Sequence, residues 1–131
     1  MNRLYGMKIG ILLGLLSVPS INFAHHAWAS VFDMSTVTEF QGEITRLMWR
    51  NPHVRFTIKT AEGMLLDIET NSLSILRRMD VTPDLLAEGD LVSVAGNLAR
   101  NGDNEMWINN ILLSDGKELV TRPGIAPHWS D

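Results

Sequence analysis

The chain holds four histidines, and two of them stand side by side, His25 and His26, in the stretch AHHAW. Adjacent imidazoles gain a distinctive chemistry when a free amine joins them. Cleavage after Ala24 would make His25 the first residue, and an α-amine, with a pKa of about 7.7 to 8.0, is partly deprotonated near neutrality. That amine and the His25 imidazole offer two nitrogens to one ion, a donor set that suits Cu(II), Ni(II) and Zn(II), with copper favoured by the general affinity order. Cleavage one residue earlier would leave Ala24-His25-His26. Its amine, two backbone amide nitrogens and third-position imidazole would make a square-planar set for copper or nickel. The candidate third nitrogen is His53 in WRNPH, Trp49 to His53. Pro52 fixes its own φ and pushes Asn51 toward extended geometry, so the segment presents Asn51 and His53 at a strand junction. His25, His26 and His53 are thus the candidate metal ligands, copper the candidate ion, with one coordination position left open. The plain alternative is that the terminal histidines are incidental and His53 only satisfies backbone carbonyls near the turn. Their spacing has none of the specificity of an H-E-x-x-H motif.

Other residue types point elsewhere. Met34, Met48, Met64 and Met106 could serve Cu(I), but they are scattered, and core filling accounts better for most of them. Trp49, Asn51 and Trp107 are candidates for contact with a ligand or partner, as aromatic faces on a small barrel bind flat molecules and oligomers. Trp28 and Trp129 could contribute to such a face; packing of Trp49 and Trp107 where the first and fifth strands meet is the simpler account. Arg77-Arg78 could hold an anion, although a solvated helix end is the commoner use of such a pair. The carboxylates Glu39, Glu43, Asp67 and Glu69 fall on exposed strand faces without an evident partner. No G-x-S-x-G, phosphate loop or cysteine nucleophile occurs, and nothing argues for an enzyme.

The amino terminus supplies the context. MNRLYGMK carries Arg3 and Lys8 and no acid, the apolar run Ile9 to Val18 is ten residues long, and small and polar residues follow at PSINFA. That order is a secretory signal peptide, too short in its apolar part for the roughly 20 residues that span a bilayer. Cleavage is expected after Ala24; a cut after Ser20 also satisfies the small-residue rule and would start the chain at Ile21. Losing residues 1–24 removes two basic residues and no acid, which leaves nine basic against fifteen acidic residues and a net charge of −6 on 107 residues. An acidic surface repels phosphate backbones, so nucleic acid is an unsuitable partner. With no cysteine, an exported form has neither a disulfide nor a thiolate site, and its stability must come from an apolar core. No second long apolar segment follows, so no membrane span is expected after the signal, and the compartment is the periplasm.

The elements that must position these residues follow from periodicity. Residues 25–38 read as an extended amino-terminal arm. TEFQGEITRLMW alternates Phe40, Gly42 and Ile44 against polar residues, the period of a half-buried strand, with Gly42 allowing a bend or bulge. HVRFTIKT places Val54, Phe56 and Ile58 on one face, MLLDIET places Met64, Leu66 and Ile68 inward, and AEG between them supplies a hairpin turn. NSLSILRRM changes to helical spacing, with Asn71 or Ser72 as the cap, and VTPDLLAEGD reads as a capped turn. LVSVAGNLAR is a fourth strand and EMWINNILLSDGKEL a fifth, bent one. The order of three strands, one short helix and two strands over residues 39–120 is that of the OB-fold, a small five-stranded partly open barrel. A β-sandwich or an SH3-like barrel is the alternative. Residues 121–131, with two prolines and a glycine, read as an irregular tail.

HHAW, FDM at Phe32 to Met34, GEIT at Gly42 to Thr45, WRNPH, LRR at Leu76 to Arg78 and GD-x-V-x-V-x-G from Gly89 to Gly96 together resemble a family of small exported bacterial proteins of unknown function. The His-His start and W-x-N-P-H are the specific parts of that resemblance, which spans essentially the whole chain beyond the signal. It implies an OB-type barrel from a Gram-negative bacterium and brings no established activity. The chain departs from the pattern at Ala27, where serine is usual, and at Asn22 in the cleavage zone. Three functions remain open at this point: a noncatalytic periplasmic module binding copper or a similar divalent ion; a structural or interaction protein using a barrel edge or the tryptophan-bearing face to hold an exported partner or small ligand; and, with the least support, an accessory subunit of an exported enzyme.

Overall fold

A hairpin of two five-residue strands organises the structure: β2 (Arg55–Lys59) pairs antiparallel with β3 (Leu65–Glu69), Phe56 opposite Ile68 and Ile58 opposite Leu66. Every second residue in both strands is apolar and buried, so the pairing register and the inward face are one choice. The computed structural model describes the backbone of residues 24–130 and the side chains of residues 28–130. Residues 1–23, read as most of an export signal, and the side chains of His25 and His26 lie outside the described residues.

The long β1 (Thr38–Met48) serves two partners. Its first half pairs with β4 (Leu91–Leu98) and its second half with β2, the exchange falling at Glu43. Gly42 stands at this crossing because a Cβ there would lie 2.7 Å from the Lys59 carbonyl oxygen. The bulge itself is three residues on: pairing slips between Ile44 and Arg46, which leaves Thr45 over and reverses the alternation, so that Leu47 turns toward the core and Arg46 outward. β5 (Glu105–Leu112) pairs antiparallel with β4 and, through Asp67 to Glu69, parallel with β3. That last pairing closes a five-stranded barrel around Ile44, Phe56, Ile58, Leu66, Ile68, Val92, Val94, Met106, Ile108 and Ile111, each 2% exposed or less. The short helix α2 (Leu73–Arg78) lies between β3 and β4 and plugs one end of the barrel with Leu76. The expected OB-like five-stranded barrel, with one short helix between its third and fourth strands, is the architecture observed.

Two differences from the sequence reading concern the ends. The stretch read as an extended arm contains helix α1 (Ala24–Val31), followed by a bridge between Phe32 and Ala99. The bent fifth strand is two strands: β5 stops at Leu112, a turn at Leu113 to Lys117 reverses the chain, and β6 (Glu118–Val120) returns along β5. Asp115-Gly116 sits inside that turn, with Gly116 at φ 87°, a conformation that favours glycine.

Candidate functional site

Trp107 is the centre of the site, on the outward face of β5 and yet only 4% exposed. Helix α1 covers it. Trp28 stacks on it with ring centroids 5.5 Å apart and planes 15° off parallel, and Phe32 tilts against it at 6.1 Å. The Arg122 guanidinium lies over the Trp28 ring, 4.4 Å from its centroid, so the indole contacts a cation as well as a second indole. Burial pushes the Arg122 pKa down from its ordinary value. This satellite core, with Ala99 and Met34, explains the helix: eight residues are too few to be stable alone in water, and the docked apolar face supplies what propensity does not.

Two buried asparagines fasten the arrangement. Asn97 Nδ2 donates to the carbonyls of Asp33 and Thr36 at 3.0 and 2.8 Å, fixing the link between α1 and β1. Asn109 Nδ2 donates to Asn97 Oδ1, and Arg122 donates to Asn109 Oδ1, so one polar chain runs from the α1 link to the cation over Trp28.

His53 makes an edge contact with Trp107 at 5.3 Å. Its Nδ1 is hydrogen-bonded to Glu69 Oε1, and Arg55 donates to the other oxygen, Oε2, at 2.7 Å. A carboxylate can only accept, so Nδ1 carries the proton in this bond, and in the neutral imidazole the lone pair is on Nε2. The His53 side chain is 40% exposed and lines an open cleft of about 310 Å³ with Met48, Arg50, Asn51 and Arg55. Position 69 therefore has a partner the sequence did not reveal. The pairing is legible only once the β2–β3 register sets Arg55 opposite Glu69, two residues beyond His53.

The remaining candidates divide. Asn51 Oδ1 accepts the Leu73 N–H at 3.1 Å, so this side chain caps helix α2, while Ser72, at the N-cap position, makes no side-chain cap bond. The Asn51-Pro52 peptide is cis. Trp49 packs against the main core beside Leu73 and Val81, far from the partner expected for it; Trp107 belongs to the satellite core, so the two do not meet between strands one and five. Met106 and Met64 fill the core and Met34 the satellite, whereas Met48 lines the His53 cleft with its sulfur accepting from Arg50 at 3.8 Å. Arg77 and Arg78 are exposed at the end of α2. Among the described residues, no three His, Asp or Glu side chains are grouped so as to hold a metal ion, and no helix is long and apolar enough to cross a membrane.

The carboxylates Glu39 and Glu118 clamp the tail. Glu118 accepts the backbone N–H groups of His128, Trp129 and Ser130 together with the Ser130 hydroxyl. Glu39 takes His128 Nε2 at 2.7 Å and Trp129 Nε1 at 3.3 Å.

A closed OB-like barrel whose outer tryptophan is covered by the chain's own helix, with a carboxylate-held histidine at its margin, defines a small β-barrel module. The chain belongs to a family of unknown function, DUF6152, whose pattern matches residues 13–107, from the apolar amino-terminal run to the central tryptophan of the site. Among curated proteins, none matches the chain.

Proposed function

We propose that this protein is an exported, noncatalytic binding module that takes a divalent metal ion, copper(II) foremost, between His53 and the histidines of α1. The observation that carries the reading is the Glu69–His53 pair. Metal-ligating histidines almost always donate their second ring N–H to a carboxylate, which fixes ring orientation and raises the basicity of the ligating nitrogen. The Glu69 carboxylate does this for His53, Arg55 steadies it from the other side, and Nε2 is left for an ion in an open cleft. The stack of Trp28 on Trp107, which touches His53, ties the helix that begins with the His-His pair to the same side of the barrel; His25 precedes Trp28 by three residues, one helical turn.

The reading needs export and cleavage after Ala24, so that the chain starts at His25 and adds an amine to the donor set. It also takes the His-His start and W-x-N-P-H as the features that define the family's site. Intact-mass spectrometry of protein recovered from the periplasm fixes the first residue. Calorimetry on that material with copper(II) should then give a tight one-to-one complex that His25→Ala and His53→Ala each weaken at least tenfold, with imidazole-nitrogen hyperfine structure in the electron paramagnetic resonance spectrum. Affinity unchanged by both substitutions would end the proposal. The other reading, a tryptophan-bearing docking face, has less support, since Trp107 is buried and Trp28 already occupies its ring.

A further inference from the structure

A cleft of about 210 Å³ lies on the outer face of the hairpin, and its floor is a single row of side chains drawn from four strands. Arg46 on β1 is registered with Thr57 on β2, Thr57 with Asp67 on β3, and Asp67 with Glu105 on β5. The bulge at Thr45 is what puts Arg46 in this row: without the slipped pairing, position 46 would share the inward phase of Gly42 and Ile44. The row is graded in charge, cationic at the β1 end and anionic at the β3 and β5 end.

Most charges in the neighbourhood are spent on each other. Arg55 and Glu69 are bonded at 2.7 Å, and Thr57 Oγ1 donates to Asp67 Oδ1 at 2.7 Å, which leaves the second oxygen of Asp67 over. Arg46 and Glu105 are exposed, and among the described residues neither side chain has a hydrogen-bond or ion-pair partner. Phe32 and Met48 give the same cleft an apolar wall. Strands lie about 4.8 Å apart, so two to three spacings separate the positive from the negative end, roughly 10 to 14 Å between backbone positions. A cleft with opposite unspent charges at that separation and two apolar side chains in its lining is complementary to an extended zwitterion. A chain of three residues, at about 3.3 to 3.6 Å each, sets its two charged termini roughly 10 Å apart.

We propose that this face is a second site, adjoining the His53 cleft and sharing Met48 and Arg55 with it but not resting on the metal reading, that binds short oligopeptides of about three residues. The amino terminus is held by Asp67 and Glu105, the carboxylate by Arg46, and small apolar side chains lie along Phe32 and Met48. The test is titration of full-length processed protein, in chelator so that copper plays no part, with trialanine, N-acetyl-trialanine and trialanine amide, followed by amide chemical shifts. Trialanine should shift the resonances of Thr57 and Asp67, and blocking either terminus should weaken binding at least tenfold. Arg46→Met should abolish the preference for a free carboxylate, and Glu105→Gln should reduce the preference for a free amine to what Asp67 alone supplies, with the remaining spectrum unchanged because neither side chain holds the fold together. Equal binding of all three peptides, shifts elsewhere, or no saturation at millimolar peptide would overturn the proposal, as would binding of the amide alone, the behaviour of a site for simple cations.

Discussion

At the scale of single residues, the Glu69 carboxylate is the most informative group, because it orients His53 and engages Arg55 at once. Glu69→Gln keeps the volume but removes the charge, and on the proposed metal reading, loss of the carboxylate that orients a ligating histidine typically costs 10- to 100-fold in metal affinity. Calorimetry with copper(II) should show that loss while the circular dichroism spectrum stays native. Trp28→Ala tests the stack by a different route: it removes a large aromatic side chain that contacts both Trp107 and Arg122, and should cost about 2 kcal/mol in denaturant unfolding at unchanged fold. The candidate site was legible in part at this scale. His53 was marked by its motif, but its carboxylate partner was hidden, since a strand position exposes no sign of what stands opposite it. Trp107 was marked by its type, and its burial could not be read because the cover comes from residues 75 or more positions away in the chain.

The elements were legible wherever one face is buried and periodicity is long enough to show it. β2 and β3 alternate without interruption, and their register follows from the pattern alone. α1 escaped because its eight residues are helical through a tertiary contact rather than propensity, and an aromatic-polar mixture of that length has no period to read. β6 escaped for a related reason: the turn at Leu113 to Lys117 interrupts a run that otherwise looks like one bent strand. Gly96 is the element-scale position with the sharpest requirement, since a Cβ there would lie 2.3 Å from the Trp107 carbonyl oxygen, opposite the β5 bulge that leaves Asn109 over, against backbone that cannot give way. Gly96→Ala should therefore fail to give a native spectrum, or unfold well below the parent temperature. Asn51→Ala should be milder, about 1 kcal/mol, as α2 loses a cap supplied from another part of the chain.

For the whole molecule, the tail is a structural part of the barrel and not an appendage. Partial burial pushes the Glu118 carboxyl up, but the N–H groups of His128, Ser130 and Trp129 and the Ser130 hydroxyl outweigh it and hold the group at about 2, against an ordinary 4.5. The hydrogen bonds from His128 and Trp129 likewise hold Glu39 below its usual value. A carboxyl depressed in the folded state contributes stability that is present above its unfolded value and lost as the pH falls through its folded one. The melting temperature should thus decline between about pH 4.5 and 2, and Glu118→Gln should remove much of that slope while lowering stability at neutral pH. Deleting residues 123–131 should have the same effect on the slope and leave the Arg122 contact in place.

The contact of Arg122 with Trp28 brings helix α1 and the segment after β6 together at 4.4 Å, and the asparagine chain through Asn97 and Asn109 runs between them. Fraying of α1 therefore loosens the segment after β6, and the two should open as one cooperative unit. Amide hydrogens in α1 and in the stretch after β6 would then exchange with deuterium at matched rates, and a circular permutant of residues 24–130 that joins these two segments through a short linker and reopens at the Gly102 turn should retain the barrel.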